Sequence, residues 1–271
     1  MVSVGIPTYN NPVGLVKSVN SLINQDYSNL QIIISDNNST NYNILEMLAE
    51  LLQNHKQIKV VQQTTNIGVI KNFKFVLNQA EGEYFMWAAD DDFWSPNYIS
   101  SCLNVFSSNP DCVSVFSHFE VLNLKTNEIT QKNTPTSCSS SSQFIRVFTR
   151  LFEMIPNMIY GLHKTEIIRK ISIETFDWFD VLVTIQLAYH GKILIIPQNL
   201  YSVGIDGPRK PYSLTGKYLT FKIFRRNMVK FINKRFPFRH RIILLLYTFY
   251  VSIKAEKKFR KVIAKWPDLK K

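Results

Sequence analysis

The first hundred residues alternate between short apolar runs and segments whose apolar side chains recur at helical spacing. Val2 to Ile6 is an apolar run closed by Pro7, and Val13, Val16, Val19 and Ile23 follow it at intervals of three and four. That spacing predicts a helix over Val13 to Ile23, because residues three and four apart share one helical face. Gln31 to Ser35 and Ile58 to Val61 read as buried strands, with a Leu-rich helix from Asn41 to Leu52 between them. Ile70, Phe73, Val76 and Leu77 mark one face of a helix over Asn66 to Ala80, and Tyr84 to Ala89 reads as a fourth strand. Strands alternating with helices of this length predict a mostly parallel sheet with right-handed crossovers. Ligands of such sheets gather at the carboxyl ends of the strands, where Pro7, Asp36 and Asp90 fall.

Beyond Pro110 the rhythm changes. Val113 to Phe116 and Phe119 to Leu124 predict further strands, with a turn near Thr126 and Asn127. The Ser-rich stretch Ser137 to Ser142 predicts a mobile loop ahead of a helix from Gln143 to Met154. The apolar segment Met158 to Leu162, a helix from Asp180 to His190 and a strand from Lys192 to Ile196 complete the globular part. No internal repeat is present. From Gly216 onward bases mingle with aromatics, and Ile242 to Ile253 is almost wholly apolar. A spanning helix needs about 20 apolar residues, so this segment is too short to cross a bilayer. With Arg239, Arg241, Lys254, Lys257 and Lys258 flanking it, the segment is expected to lie in a membrane surface.

Charge divides the chain where the pattern does. Residues 1–208 carry 13 Lys and Arg against 18 Asp and Glu, a net of −5, whereas residues 209–271 carry 19 against 2, a net of +17. The expected organisation is a globular domain over 1–208 and a basic, amphipathic, helical tail over 209–271. Such a tail requires an anionic partner, and the expected one is an anionic membrane surface. No nucleic-acid motif accompanies it, so no nucleic-acid partner is expected. Apolar residues at 45% and charged residues at 19% fit a packed core and exclude a disordered chain. The three cysteines lack metal-type spacing, and their odd number argues against a disulfide framework. No signal peptide precedes the first strand, so the expected location is cytoplasmic, peripheral on the inner face of a membrane.

Three consecutive aspartates, Asp90, Asp91 and Asp92, end the fourth strand. Adjacent carboxylates repel, and withdrawing them from water is costly unless a cation meets them. A hard divalent ion such as Mg2+ or Mn2+ suits carboxylate oxygens, whereas a solvated acidic turn ahead of a helix near Ser95 and Pro96 is the plainer alternative. Two other strand ends point to the same rim: Gly5-Ile6-Pro7-Thr8-Tyr9-Asn10 and Ile34-Ser35-Asp36-Asn37-Asn38-Ser39.

Here the chain closely resembles the family 2 glycosyltransferases. Members begin with a Pro-Thr-Tyr-Asn strand and place an aspartate after the second strand. They carry Asn-x-Gly-x-x-x-Asn, matched by Asn66, Gly68 and Asn72, and a Gly-Glu-Tyr strand, matched by Gly82-Glu83-Tyr84. A multi-aspartate motif follows, with a proline four residues on, matched by Asp92 and Pro96. The resemblance covers residues 2 to 203. It implies a GT-A fold, a Rossmann-like α/β sheet of the nucleotide-diphospho-sugar transferases, and inverting transfer from a nucleotide-sugar donor, expected to be UDP-linked. The implied acceptor is a saccharide or lipid-linked saccharide, and the implied setting is cell-surface polysaccharide assembly.

For donor binding, Pro7, Thr8 and Tyr9 are expected to wall the base, Asp36 to accept from a base N–H or ribose hydroxyl, and Asn66 and Gly68 to contact the donor. Asp90 and Asp92 are expected to hold Mn2+ or Mg2+ against the diphosphate. Asp92 is the first choice for direct coordination, Asp91 is an alternative ligand, and Asp90 is also a candidate for touching the ribose or sugar. Ala89 stands where many relatives have another aspartate, which leaves the assignment open by one position. Asp180 matches the spacing of the family's catalytic base, seven residues before Leu187-Ala188 and eleven before Gly191, with Asp177 the competitor. Two departures stand out: Phe179 occupies a glutamate position, and Tyr201-Ser202-Val203-Gly204 lacks the histidine that relatives place after the last strand. Arg209 or Lys210 could supply that missing positive charge. A non-catalytic relative is the alternative these departures raise. A sugar-phosphate nucleotidyltransferase would need a Gly-rich phosphate loop that Gly5-Ile6-Pro7-Thr8 does not offer.

Overall fold

The structure, a computed structural model, describes residues 1–173, 178–205 and 214–263. Strand β1 (Val2–Thr8) is buried at every position, as expected for a strand covered on both faces. Helix α1 (Pro12–Ile23) starts at Asn11, whose side chain accepts from the Gly14 N–H, with Pro12 at its first position. Strand β2 (Leu30–Asp36) follows; then the predicted Leu-rich helix divides into α2 (Ile44–Met47) and α3 (Ala49–Asn54). Strand β3 (Ile58–Gln62), helix α4 (Val69–Asn78) and strand β4 (Tyr84–Trp87) complete the expected alternation. The order β3-β2-β1-β4 is fully parallel, with Thr8 level with Asp36 and Gly5 level with Trp87. The carboxyl ends of β1, β2 and β4 therefore lie side by side.

The second half is mixed where the first is parallel. Beyond the two-residue strand β5 (Phe93–Trp94) and helix α5 (Tyr98–Ser108), one long strand β6 (Cys112–Asn123) replaces the two predicted there. Strand β7 (Ile129–Asn133) pairs with β6 as a hairpin. Helix α6 (Gln143–Glu153) leads through a 3-10 turn (Pro156–Tyr160) to β8 (Leu162–Lys164) and the short helix α7 (Thr165–Ile168). Strand β8 bridges β4 and β6, antiparallel to both. Helix α8 (Phe179–His190) precedes β9 (Lys192–Ile205), which runs parallel to β6 and antiparallel to β5. The Ser-rich stretch is held down: the carbonyls of Ser140 and Ser141 accept from the Arg146 guanidinium, and Cys138 bridges to Ile193.

Two long helices, α9 (Leu214–Arg235) and α10 (Phe238–Ile263), form the tail, and α10 packs against α9 and α6. The break between them falls at Pro237, which cannot donate a backbone hydrogen bond. No helix among the described residues is long and apolar enough to cross a membrane.

Candidate functional site

The end of β1 is fixed from both sides. The Thr8 hydroxyl donates to Oδ2 of Asp90 at 2.6 Å, and the Thr8 carbonyl accepts from the Asn37 N–H at 2.9 Å. Asn10 takes a left-handed conformation, donates its N–H to the Ser39 hydroxyl at 2.8 Å and accepts from the Thr40 N–H at 2.9 Å. The loops after β1 and β2 are thereby locked together, with Tyr9 left 45% exposed beside them.

Asp36 is buried inside this lock. Its carboxylate accepts from the Ser39 N–H at 3.1 Å and from the Ser39 hydroxyl at 2.5 Å, and it lies off the cavity wall described below. Asn37 is the residue that reaches across instead. Its amide donates to the Asn66 side chain at 3.0 Å, while its oxygen accepts from the Ile67 N–H at 2.8 Å. Asn66 closes a tight turn by accepting from the Gly68 N–H at 2.9 Å, and Gly68 has φ of 83°, a conformation that favours glycine. This turn delays the start of α4 to Val69, three residues later than the spacing predicts. Asn72 secures the helix to β2 through a mutual pair with Ser35, at 2.6 and 2.9 Å.

The aspartate turn is held by α1 on one side and β9 on the other. Ser18 donates to the Ala89 carbonyl at 2.7 Å, and the Asn11 amide donates to the Asp90 carbonyl at 3.0 Å. Burial raises the Asp90 carboxyl above the usual carboxylate range, opposed by its hydrogen bonds from Thr8 and Asn11. Asp92, the first choice for direct metal coordination, faces away from the rim of the sheet. Its carboxylate is only 2% exposed, accepts from the Gly204 N–H at 3.0 Å and from the Tyr201 hydroxyl, and does not line the cavity. Burial, with the Asp92 charge as a second cause, raises the Tyr201 phenol well above its ordinary value, so Tyr201 stays a donor. Gly204 is required here because a Cβ would sit 2.0 Å from the Asp91 carbonyl oxygen.

These elements enclose a cavity of about 530 Å³ at the carboxyl rim of the sheet. Pro7, Thr8, Tyr9, Asn66, Asp90, Asp91 and Asp180 all line it, as do Asn37, Asn72, Tyr160 and Phe179. Asp180 arrives from the first turn of α8, where the helix dipole favours a carboxylate. Tyr160 comes from the 3-10 turn. Burial first, then the charges of Asp92, Asp180, Asp91 and Asp90, raises its phenol well above the ordinary value. Three carboxylates face the cavity, and no Lys, Arg or His is among its described lining residues. Asp177, Arg209 and Lys210 lie outside the described residues. Among the described residues, no three acidic, His or Cys side chains form a preassembled metal cage. Two carboxylates on the wall nevertheless fit Mg2+ or Mn2+, which take one or two carboxylates and complete their shells with phosphate and water.

Asn37, Tyr160, Tyr201 and Gly204 are the site residues that sequence reasoning missed. Asn37 lies within the quoted Asp36-Asn37-Asn38 segment, and Tyr201 and Gly204 lie in the segment singled out for its missing histidine. Tyr160 carries no signal beyond standing in the middle of the apolar segment Met158 to Leu162.

The family model described as Glycosyl transferase family 2 matches residues 3–171. Over 100 residues the chain is 32% identical to a putative colanic acid biosynthesis glycosyl transferase, WcaA, of Escherichia coli, covering 37% of this chain and 36% of that one. It is 36% identical over 92 residues to a GalNAc(5)-diNAcBac-PP-undecaprenol beta-1,3-glucosyltransferase of Campylobacter jejuni, covering 34% and 29% respectively. The matched segments span 36 to 51% of the length of the first curated relatives. Among solved structures, the fold is similar to S. aureus TarS 1-349 in complex with UDP-GlcNAc, with a TM-score of 0.70 at 18% identity over 90% of this chain and 70% of that one. It is also similar to a mannosyltransferase of Pyrobaculum calidifontis in complex with GDP-Man and Mn2+, with a TM-score of 0.58 at 14% identity over 98% and 81%. At such identities the structural likeness speaks for the fold.

Proposed function

The chain belongs to glycosyl transferase family 2, and from that premise we propose that it moves a sugar from a UDP-linked donor to a saccharide or lipid-linked saccharide. The gathering of Asp90, Asp91 and Asp180 on one cavity, with no cationic side chain among its described lining residues, carries this reading. A pyrophosphate is repelled by three carboxylates unless a cation lies between them. Asp91, with Asp90 beside it, is the pair to hold Mn2+ or Mg2+. When bound, such an ion neutralises charge that grows on the departing diphosphate. The Mn2+ in the Pyrobaculum mannosyltransferase and the UDP-GlcNAc in TarS support these choices.

Each residue then has a distinct task. Tyr9 offers an aromatic face for the base, beside the amides of Asn37 and Asn66. Asp36 braces that wall through Ser39 and Asn10, and Asp92 braces the turn that carries Asp91. Asp180 takes the proton of the acceptor hydroxyl as its oxygen attacks the anomeric carbon and the bond to the diphosphate breaks, inverting that carbon. Asp177, three residues earlier, is the competitor for this task. The colanic acid and undecaprenol-linked relatives favour an acceptor of cell-surface polysaccharide assembly, with the enzyme peripheral on the inner face of a membrane.

The test is nucleotide release from a panel of UDP- and GDP-sugars, with Mn2+ or with EDTA. The expected result is UDP release from one UDP-sugar, dependent on the cation. Absence of release from every donor, with Mn2+ as with EDTA, would make the chain a non-catalytic relative.

A further inference from the structure

The tail leaves one helix face uncovered. On α10, Phe238, Ile242, Leu246, Phe249, Tyr250 and Ile253 are exposed, Phe238 by 75% and Leu246 by 68%. At 100° per residue these positions fall within an arc of about 120°, and the stripe runs about 22 Å along the helix. The opposite face carries Leu244, Thr248, Val251 and Ser252, all buried. Their burial commits that face to the protein, and Thr248 and Ser252 satisfy their hydroxyls within the helix on the carbonyls of Leu244 and Phe249. The stripe also continues onto α6: Tyr247 meets Phe152 at 6.1 Å and Tyr250 at 5.8 Å between ring centroids, and Phe152 is 66% exposed.

We propose that this face, α10 extended by Phe152, lies on an anionic bilayer with its apolar side chains below the headgroups. Charge decides the occupant. Arg239 and Lys257, at the two ends of the stripe, fall within the same arc by helical geometry, and Lys254 borders it. The acid of the described part of α10, Glu256, falls in line with Phe238 at the edge of the arc, where Arg225 of α9 meets it at 3.7 Å. A second copy docked on this face in antiparallel fashion would set Arg239 against Lys257, like charge against like. Lipid phosphates meet those bases, and the acyl boundary receives the rings and aliphatic chains between them. The +17 charge of residues 209–271 adds long-range attraction to the same partner.

This inference goes beyond the sugar-transfer reading and stands apart from it, because its assay contains no nucleotide. The full chain is pelleted with vesicles of phosphatidylcholine containing about one-third phosphatidylglycerol, and with phosphatidylcholine alone, at low and high salt. Binding is expected to the anionic vesicles and to weaken with salt. Replacing Leu246→Glu and Phe249→Glu together should lower it about tenfold or more. Arg239→Ala with Lys257→Ala keeps the apolar stripe and should weaken binding about 30-fold, at about 1 kcal/mol per base. Far-UV circular dichroism confirms that each variant is folded. Equal pelleting of wild type and the double Glu variant would overturn the proposal, as would failure of the wild type to bind. A lipid-free dimer that the Glu pair splits would overturn it in favour of a second copy.

Discussion

Replacing Asp92 by asparagine preserves the size of the side chain and removes its charge, so the change reports what the buried carboxylate does. In the structure its two oxygens accept from the Gly204 N–H and the Tyr201 hydroxyl. Asparagine can keep the first bond, and the Tyr201 hydroxyl can turn to accept from the new amide. A hydrogen bond to a charged group contributes about 1.5–3 kcal/mol, and relief of carboxylate desolvation returns part of that. The expected loss for Asp92→Asn is therefore about 1–2 kcal/mol. Asp92→Ala strands two buried donors and should cost about 3–5 kcal/mol. At roughly 2–4 °C per kcal/mol for a chain of this size, the alanine variant should melt at least about 6 °C lower. Tyr201→Phe should cost about 1–3 kcal/mol, and the double variant less than the sum, because one bond is counted in both. The companion assay is a Mn2+ titration of UDP release. Asp91→Asn should raise the Mn2+ requirement by about 10- to 100-fold or more, whereas Asp92→Asn should leave it near wild type. An Asp92→Asn protein as stable as wild type that has lost its Mn2+ response would refute the reasoning and make Asp92 the ligand.

Two further outcomes follow from the geometry. Asp180→Asn should lower the transfer rate by about 10²- to 10⁴-fold while leaving UDP affinity unchanged, measured by steady-state release and by calorimetry; an unchanged rate would pass the role to Asp177. His163 is buried, with ring nitrogens bonded to Ser114 and the Ile159 carbonyl, and burial lowers its pKa to about 4. The unfolded chain takes up this proton near pH 6.5 and the fold only near 4, so stability is complete above that window and falls as pH drops through it. The loss between pH 7 and pH 4.5 should be about 2–3 kcal/mol by urea denaturation, and His163→Asn should flatten that slope.

What the sequence revealed follows from which forces are local. Strands β1 and β4 are buried on both faces, so they appear as mainly apolar runs with punctuation at Pro7 and the aspartates. Strand β6 reads as two in the sequence because Ser117 and His118 interrupt its apolar pattern. The pairing shifts register at those residues, and the bulge accommodates them. The partner strand, expected to end at Ile196, continues to Ile205: pairing jumps from Ile196 to Asn199, which leaves Pro197 where no ladder bond is needed. The site divides the same way. That Pro7, Asp36 and Asp90 share one rim follows from the parallel alternation alone. Which carboxylate of Asp90, Asp91 and Asp92 faces the cavity depends on a turn clamped by Ser18, Asn11 and Gly204, residues 71 to 112 positions away from their partners. Asn37 and Tyr160 enter the wall by long-range packing that no local pattern encodes.

The central claim is that the cavity at the rim of the sheet accepts a nucleoside diphosphate only together with a divalent cation. Calorimetric titration of UDP into the full chain, with Mn2+ and then with EDTA, measures it directly. The account predicts binding with Mn2+, at least about tenfold weaker binding with EDTA, and an Asp91→Asn variant that behaves alike in both. Equal UDP affinity in Mn2+ and EDTA, undiminished by Asp91→Asn, would contradict it.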